Sequence, residues 1–252
     1  MAEAIRLAVG TVTLRPYVVC FLVFYLYVAS RDLGWRRTGA LTLYGWTIAF
    51  LAEFASTRIG VPFGLYHYTG STIGQELYVA NVPFFDSLSF TFLAYTSFSL
   101  ARWTLGSSRG VAVIALAGVL MMLLDMVIDP LAVRGDRWFL GRIFYYPEGG
   151  FYFGVPLSNF LGWTIVGWVI IAGYLAVAGK GPQGRPGPGI ALYYAILVFN
   201  LVMTGWIGEP LLLLCGILLH LGAVLLLWLA RGLVRPGLNL GAPVLNLWHK
   251  SS

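Results

Sequence analysis

Seven apolar stretches, at approximately 14–30, 38–57, 82–103, 110–131, 154–178, 190–207 and 210–231, approach the roughly 20 residues needed to cross the hydrocarbon core of a bilayer. Inside lipid every backbone N–H and C=O must find a partner within its own segment, so runs of this kind read as helices. The composition agrees: 59% of residues are hydrophobic and 10% charged, against about 25% charged in an ordinary soluble domain. The expected fold is therefore all-α, a polytopic integral membrane helical bundle of about seven transmembrane helices. Residues 1–252 form one domain in this reading, with a C-terminal tail at 237–252. The run G-K-G-P-Q-G-R-P-G-P-G at 179–189 reads as a flexible, non-helical loop.

The net charge of +6 fits anionic lipid and cytoplasmic loops better than nucleic acid, which is not expected as a partner. Orientation follows from the basic residues of alternate loops. Arg31, Arg36, Arg37, Arg102, Arg109, Lys180, Arg185, Arg231, Arg235 and Lys250 fall on one side; Arg6, Arg15, Arg58, Arg134, Arg137 and Arg142 fall on the other. The excess places the N-terminus outside and the C-terminus in the cytoplasm of a multi-pass cytoplasmic-membrane protein. No basic segment followed by a cleavage site opens the chain, so no removable signal is expected. Cys20 and Cys215 lie in apolar runs and read as core packing, not as a disulfide or metal pair.

On this topology two long loops, 58–81 and 132–153, share the outer face, and both are rich in Gly, Tyr and Phe. An interfacial aromatic belt accounts for part of that enrichment. Nine of the ten acidic residues lie in or beside the same outer half, among them Glu53, Asp86, Asp125, Asp129 and Glu209. A carboxylate at the centre of a membrane helix costs roughly 2.5–3.5 kcal/mol, so the cluster needs a reason. One reason is structural ion pairing with Arg58, Arg134, Arg137 or Arg142. The other is proton chemistry on a lipid-soluble substrate.

The second reason has local support. Asp125 and Asp129 are one helical turn apart on one face, and two such carboxyls in a low dielectric are expected to share one proton. Pro130 puts the pair at the outer end of its helix. Glu53 stands near the end of its own span as a third acid, or as a partner of Arg58. The chain also echoes itself. Glu53 precedes Arg58 by five residues, as Asp129 precedes Arg134. Val82–Pro83 and Val155–Pro156 open the following spans, with Asp86 and Asn159 three residues past the prolines. Those side chains fall in the first helical turn, near unsatisfied backbone N–H groups that Asp86 is expected to bind. If the echo is a repeat, its axis lies along the membrane normal and both halves converge on one outer cavity. Glu209, beside Pro210, reads as a helix N-terminal charge, and the lone His220 as a packing residue.

No nucleophile elbow, phosphate loop or H-E-x-x-H occurs, so hydrolase, nucleotide and zinc chemistry lack sequence support. D-M-V-I-D has the D-x-x-x-D spacing with which membrane prenyltransferases hold magnesium. Only one such pair is present, and it lies on the outer side.

The runs E-F-A-S-T-R-I-G-V-P-F-G-L-Y-H-Y, N-V-P-F-F-D-S-L-S-F, D-M-V-I-D-P-L-A-V-R-G-D-R-W and F-Y-Y-P-E-G-G-F-Y-F-G-V-P-L-S-N-F resemble the carotenoid 1',2'-hydratase family. That family includes the gamma-carotene and bisanhydrobacterioruberin hydratases. The resemblance covers roughly residues 50 to 165. It implies an integral membrane enzyme, working without cofactor or metal, that adds water to the terminal double bond of an acyclic carotenoid end. The implied partners are the carotenoid, water, the lipid bilayer and other membrane enzymes of the same pathway. The resemblance brings no catalytic assignment with it, so the roles rest on the residues.

Such chemistry needs a protonated carboxylic acid, a base for the water and aromatic faces for a tertiary cation. The expected catalytic residues are Asp125 and Asp129 as proton donor, with Asp86 and Glu53 completing the site and Asp86 orienting or deprotonating the water. Tyr66, Tyr68, Phe84, Phe85, Tyr145, Tyr146 and Asn159 are the expected substrate-binding residues. Two rival readings are a magnesium-dependent prenyltransferase and a non-catalytic carotenoid or lipid carrier. A proton-coupled transporter is disfavoured, because the inner halves of the spans offer almost no polar groups.

Overall fold

A computed structural model describes residues 2–178 and 184–234. Its helices are α1 (Ala2–Leu14), α2 (Pro16–Leu33), α3 (Trp35–Ile59), α4 (Phe84–Leu105), α5 (Val111–Ala132), α6 (Leu157–Val177), α7 (Gly187–Trp206) and α8 (Pro210–Val234). Four two-residue strands lie in the long loops: β1 (His67–Tyr68), β2 (Tyr78–Val79), β3 (Val82–Pro83) and β4 (Phe144–Tyr145). The molecule is an all-α helical bundle. Five helices, α2, α5, α6, α7 and α8, are long and apolar enough to cross a membrane. The outer faces of α7 and α8 expose Val198, Val202, Leu214, Leu218, Leu221, Leu225 and Trp228, as lipid contact requires. The tail at 237–252 lies outside the described residues.

Two of the expected spans, α3 and α4, are less apolar for a packing reason. Every residue of α4 from Phe90 to Ala101 is buried by neighbouring helices, the polar ones included: Thr91, Thr96, Ser97 and Ser99 are enclosed as fully as the phenylalanines. A helix shielded from lipid needs no lipophilic face. Its hydroxyls turn back onto the helix, Thr91 donating to the Leu88 carbonyl at 2.7 Å and Ser99 to that of Tyr95 at 2.9 Å, so their burial leaves few polar groups unmet.

Several sequence expectations need correction. The chain begins with an additional helix, α1, whose Thr11 hydroxyl accepts from the backbone N–H of Leu77 at 2.8 Å and ties it to the first long loop. Residues 187–189 of the supposed Gly/Pro loop form the first turn of α7, where the absent N–H of Pro188 needs no partner; residues 179–183 are outside the described set. Cys20 is exposed and Cys215 half-buried, so neither packs the core. The helix ends expected on the inner side do hold buried polarity. Arg102 pairs with Asp32, and Tyr95 donates to the same carboxylate at 3.1 Å.

The sequence echo is a structural repeat. In both copies a helix, a loop and a two-residue hairpin lead into the next helix: α3 to α4, then α5 to α6. Val79 pairs with Val82 and Tyr152 with Val155. The first residue of each turn is in the left-handed region, Ala80 at φ 54° and Phe153 at φ 51°, a conformation uncommon for any residue but glycine. Pro83 and Pro156 then cap α4 and α6 in extended geometry. Arg58 donates to the Phe54 carbonyl and to the Asn81 side chain in the first turn, both at 2.9 Å. Arg134 donates to the Pro130 carbonyl and to the Phe153 carbonyl in the second turn, both at 2.7 Å.

The two copies meet through β1 and β4. Tyr68 pairs with Phe144, His67 with Tyr145, and the Thr69 N–H donates to the Ile143 carbonyl at 2.7 Å. The step along the chain from Glu53 to Asp129 also carries Tyr68 to Phe144. Each strand residue thereby pairs with its own counterpart or with that of a symmetric neighbour, the pattern of an isologous two-fold contact. The pseudo-two-fold axis passes between Tyr68 and Phe144. On the α5–α6 side the helices touch through Gly118 and Gly167, where an added Cβ on Gly167 would lie 3.0 Å from the Gly118 Cα. Small residues of this kind let membrane helices approach closely.

Candidate active site

Between the ends of α2 to α7 that meet the two long loops lies a cavity of about 130 Å³. That is close to the ~150 Å³ of an apolar protein cavity that takes up benzene, so it suits a branched group of a few carbons. Glu53, Asp86, Asp129 and Asn159 form its polar wall. Tyr66, Tyr68, Phe85, Phe144, Tyr146 and Trp163 bring their rings to it, and α2 and α7 contribute Phe21, Ile196 and Asn200.

Asp129 sits in the last turn of α5 and Asn159 in the first of α6. The Asn159 amide donates to Asp129 Oδ2 at 2.8 Å and to Asp125 Oδ2 at 2.7 Å. Asp125 is fully buried one turn behind, off the cavity wall, and its Oδ1 has no partner among the described residues. Glu53, in the penultimate turn of α3, has other surroundings. Tyr68 donates to its Oε1 at 2.8 Å, and Ser87 donates to its Oε2. Burial first, then the Glu53 charge, holds the Tyr68 phenol well above its ordinary pKa, so it remains a donor.

Asp86 does not take backbone N–H groups as expected. It pairs with Arg15, which also donates to Glu76 Oε1 at 2.8 Å. Arg15 is buried at the α1–α2 junction, and Thr72 donates to the same Glu76 oxygen at 2.5 Å. Sequence reasoning took Arg15 as a topological charge and passed over Glu76 and Ser87. The available signal was a single arginine immediately before Pro16 at the start of an apolar run.

The aromatic set divides by backbone geometry. Successive strand residues face opposite sides, so Tyr68, Phe144 and Tyr146 reach the cavity while Tyr145, 36% exposed, turns away. Phe84 also misses it. As the first residue of α4 it packs on Trp46 of α3, ring centroids 5.3 Å apart. The arginines serve elsewhere as well. Arg134 and Arg137 both pair with Glu209, tying the loop after α5 to the start of α8. Burial opposes the Glu209 charge, but the Arg137 hydrogen bond and the Arg134 charge hold its pKa below the usual range. Arg58 makes no ion pair among the described residues; it lies over the Phe54 ring, 3.3 Å from its centroid. His220 is buried and its Nδ1 lies 3.0 Å from the Gly216 carbonyl.

Fold and site define a helical membrane protein with an acid-lined and aromatic-walled cavity at one end of the bundle. The pattern of the carotenoid biosynthesis protein family matches residues 11–229, and the chain belongs to that family. It is 32% identical over 181 residues to bisanhydrobacterioruberin hydratase of Haloarcula japonica, an alignment covering 68% of this chain and 57% of that protein. The chain thus spans little more than half the length of this relative. No solved structure matches.

Proposed function

We propose that the protein is a carotenoid hydratase that adds water across the terminal 1',2' double bond of an acyclic carotenoid end group, without a cofactor. The observation that carries this reading is one end-group-sized cavity holding Glu53, Asp86 and Asp129 among aromatic rings. The terminal double bond is trisubstituted. Protonating its less substituted carbon, C2', leaves a tertiary cation at C1', and water captures that cation as a tertiary alcohol. The Asp125–Asp129 pair supplies the proton, because a buried and a half-buried carboxyl around one amide retain one between them. Tyr66, Tyr68, Phe85, Phe144 and Tyr146 offer ring faces to the cation. Asp86, held by Arg15, contributes a fixed negative charge, and Glu53 completes the polar wall.

The hydratase relative and the family membership support this class of activity. The prenyltransferase reading loses ground, because the Asn159 amide points a donor between the two carboxylates that would have to hold magnesium. Expression in a host that makes lycopene or gamma-carotene tests the function. Pigments heavier by one water are expected by mass spectrometry; unchanged pigments bound to the purified protein would instead establish a carrier.

The proposed topology has seven spans, α2 to α8, with the cavity on the outer side. A cysteine replacing Ile73 in the first long loop should react with a membrane-impermeant thiol reagent in intact cells, while one replacing Ser107 between α4 and α5 should not. Both positions are exposed in the folded chain. The reverse labelling pattern would invert the topology.

A further inference from the structure

The repeat makes its two half-sites comparable position by position, and they differ where acid–base chemistry would need them to. Glu53 in α3 corresponds to Asp129 in α5. The two hydroxyls that donate to Glu53 come from Tyr68 and Ser87. Their counterparts in the second copy are Phe144 and Phe160, which have no polar atom to offer Asp129. Conversely, Asp125, which shares the Asn159 amide with Asp129, corresponds to Ala49 in the first copy, a buried residue with nothing to share with Glu53. Each oxygen of Glu53 thus accepts from a hydroxyl of its own, whereas Asp129 shares a single amide donor with a second carboxyl.

From this asymmetry we infer that the duplicated site has divided its labour: Asp129 delivers the proton to the alkene, and Glu53, positioned by Tyr68 and Ser87, removes the proton from water. The inference rests on the hydratase reading. A carboxylate that accepts from two hydroxyl groups is stabilised as an anion and is ready to take a proton. A carboxyl that must share its one amide donor with a second carboxyl keeps a proton more readily than a charge. In the forward step the Asp129 O–H bond breaks and the C1'=C2' electron pair forms a C2'–H bond, leaving C1' cationic. A lone pair on water forms the C1'–O bond as one water O–H breaks toward Glu53. The product is the neutral alcohol. The enzyme, now with Asp129 ionised and Glu53 protonated, resets as Asp129 takes one proton from solvent and Glu53 releases one to it.

Isotope exchange separates the two roles. In D2O the Glu53→Gln variant forms the cation but cannot activate water, so the cation collapses to alkene. Hydration should fall at least ~100-fold, while recovered alkene carries deuterium at C2'. The Asp129→Asn variant should neither hydrate nor exchange. Should Glu53→Gln fail to accumulate in the membrane, Tyr68→Phe offers the same contrast, with slower hydration and undiminished exchange. Exchange that persists in Asp129→Asn and vanishes in Glu53→Gln would overturn the division of roles, as would its equal loss in both. Those outcomes apply when the unaltered protein hydrates its substrate. Absence of both hydration and exchange in the unaltered protein would overturn the hydratase reading itself.

Discussion

Asparagine in place of Asp129, or of Asp125 behind it, is expected to lower hydration by ~10²–10⁴-fold, the usual contribution of a positioned general acid. Expression and pigment binding should survive. An asparagine side-chain carbonyl at either position can still accept from the Asn159 amide, so the α5–α6 contact retains its hydrogen bonds. The two substitutions act differently. At Asp129 the group facing the cavity is lost; at Asp125 the donor loses the neighbour that helps it keep a proton. Pigment analysis of membranes from the producing host measures both, with protein level as the control. Full activity in both single variants would remove the pair from the mechanism.

Arg15→Met should be the most damaging change to the fold outside the helix cores. Arg15 is 4% exposed and bridges Asp86 and Glu76, so its loss leaves two carboxylates with no counter-charge. Removing one partner of a buried ion pair costs about 3–5 kcal/mol. Denaturant unfolding in micelles should show a loss of that order. Adding Glu76→Gln should recover part of it, since one of the stranded charges is then neutral. A loss below ~1 kcal/mol, the range of an exposed pair, would show that the bridge does not hold the first long loop over the cavity.

The class of fold was legible in the chain because lipid leaves so few choices. Long apolar runs must be helices, and all seven expected spans begin within a few residues of the observed α2 to α8. The repeat was also legible, since a Val-Pro pair and an acid five residues before an arginine survive in both copies. Helix periodicity placed Asp125 and Asp129 on one face, and the proline rule placed Asp86 and Asn159 in first turns.

Only the tertiary structure decided which side chains meet. Arg15 lies far from Asp86 and Glu76 along the chain, and no local rule pairs them; burial of Arg15 and Glu76 beside a half-buried Asp86 forces the pairing. The strand alternation that sends Tyr145 outward and Phe144 inward depends on the β1–β4 register, which arises from the pseudo-two-fold contact between the copies. The unlike surroundings of Glu53 and Asp129 likewise needed the axis. Composition and spacing determined a membrane bundle with acids at one end, because hydropathy and helical period act locally. Which acid faces hydroxyls and which faces rings was set by packing between segments, because electrostatic environment in a bundle is made by neighbours in space.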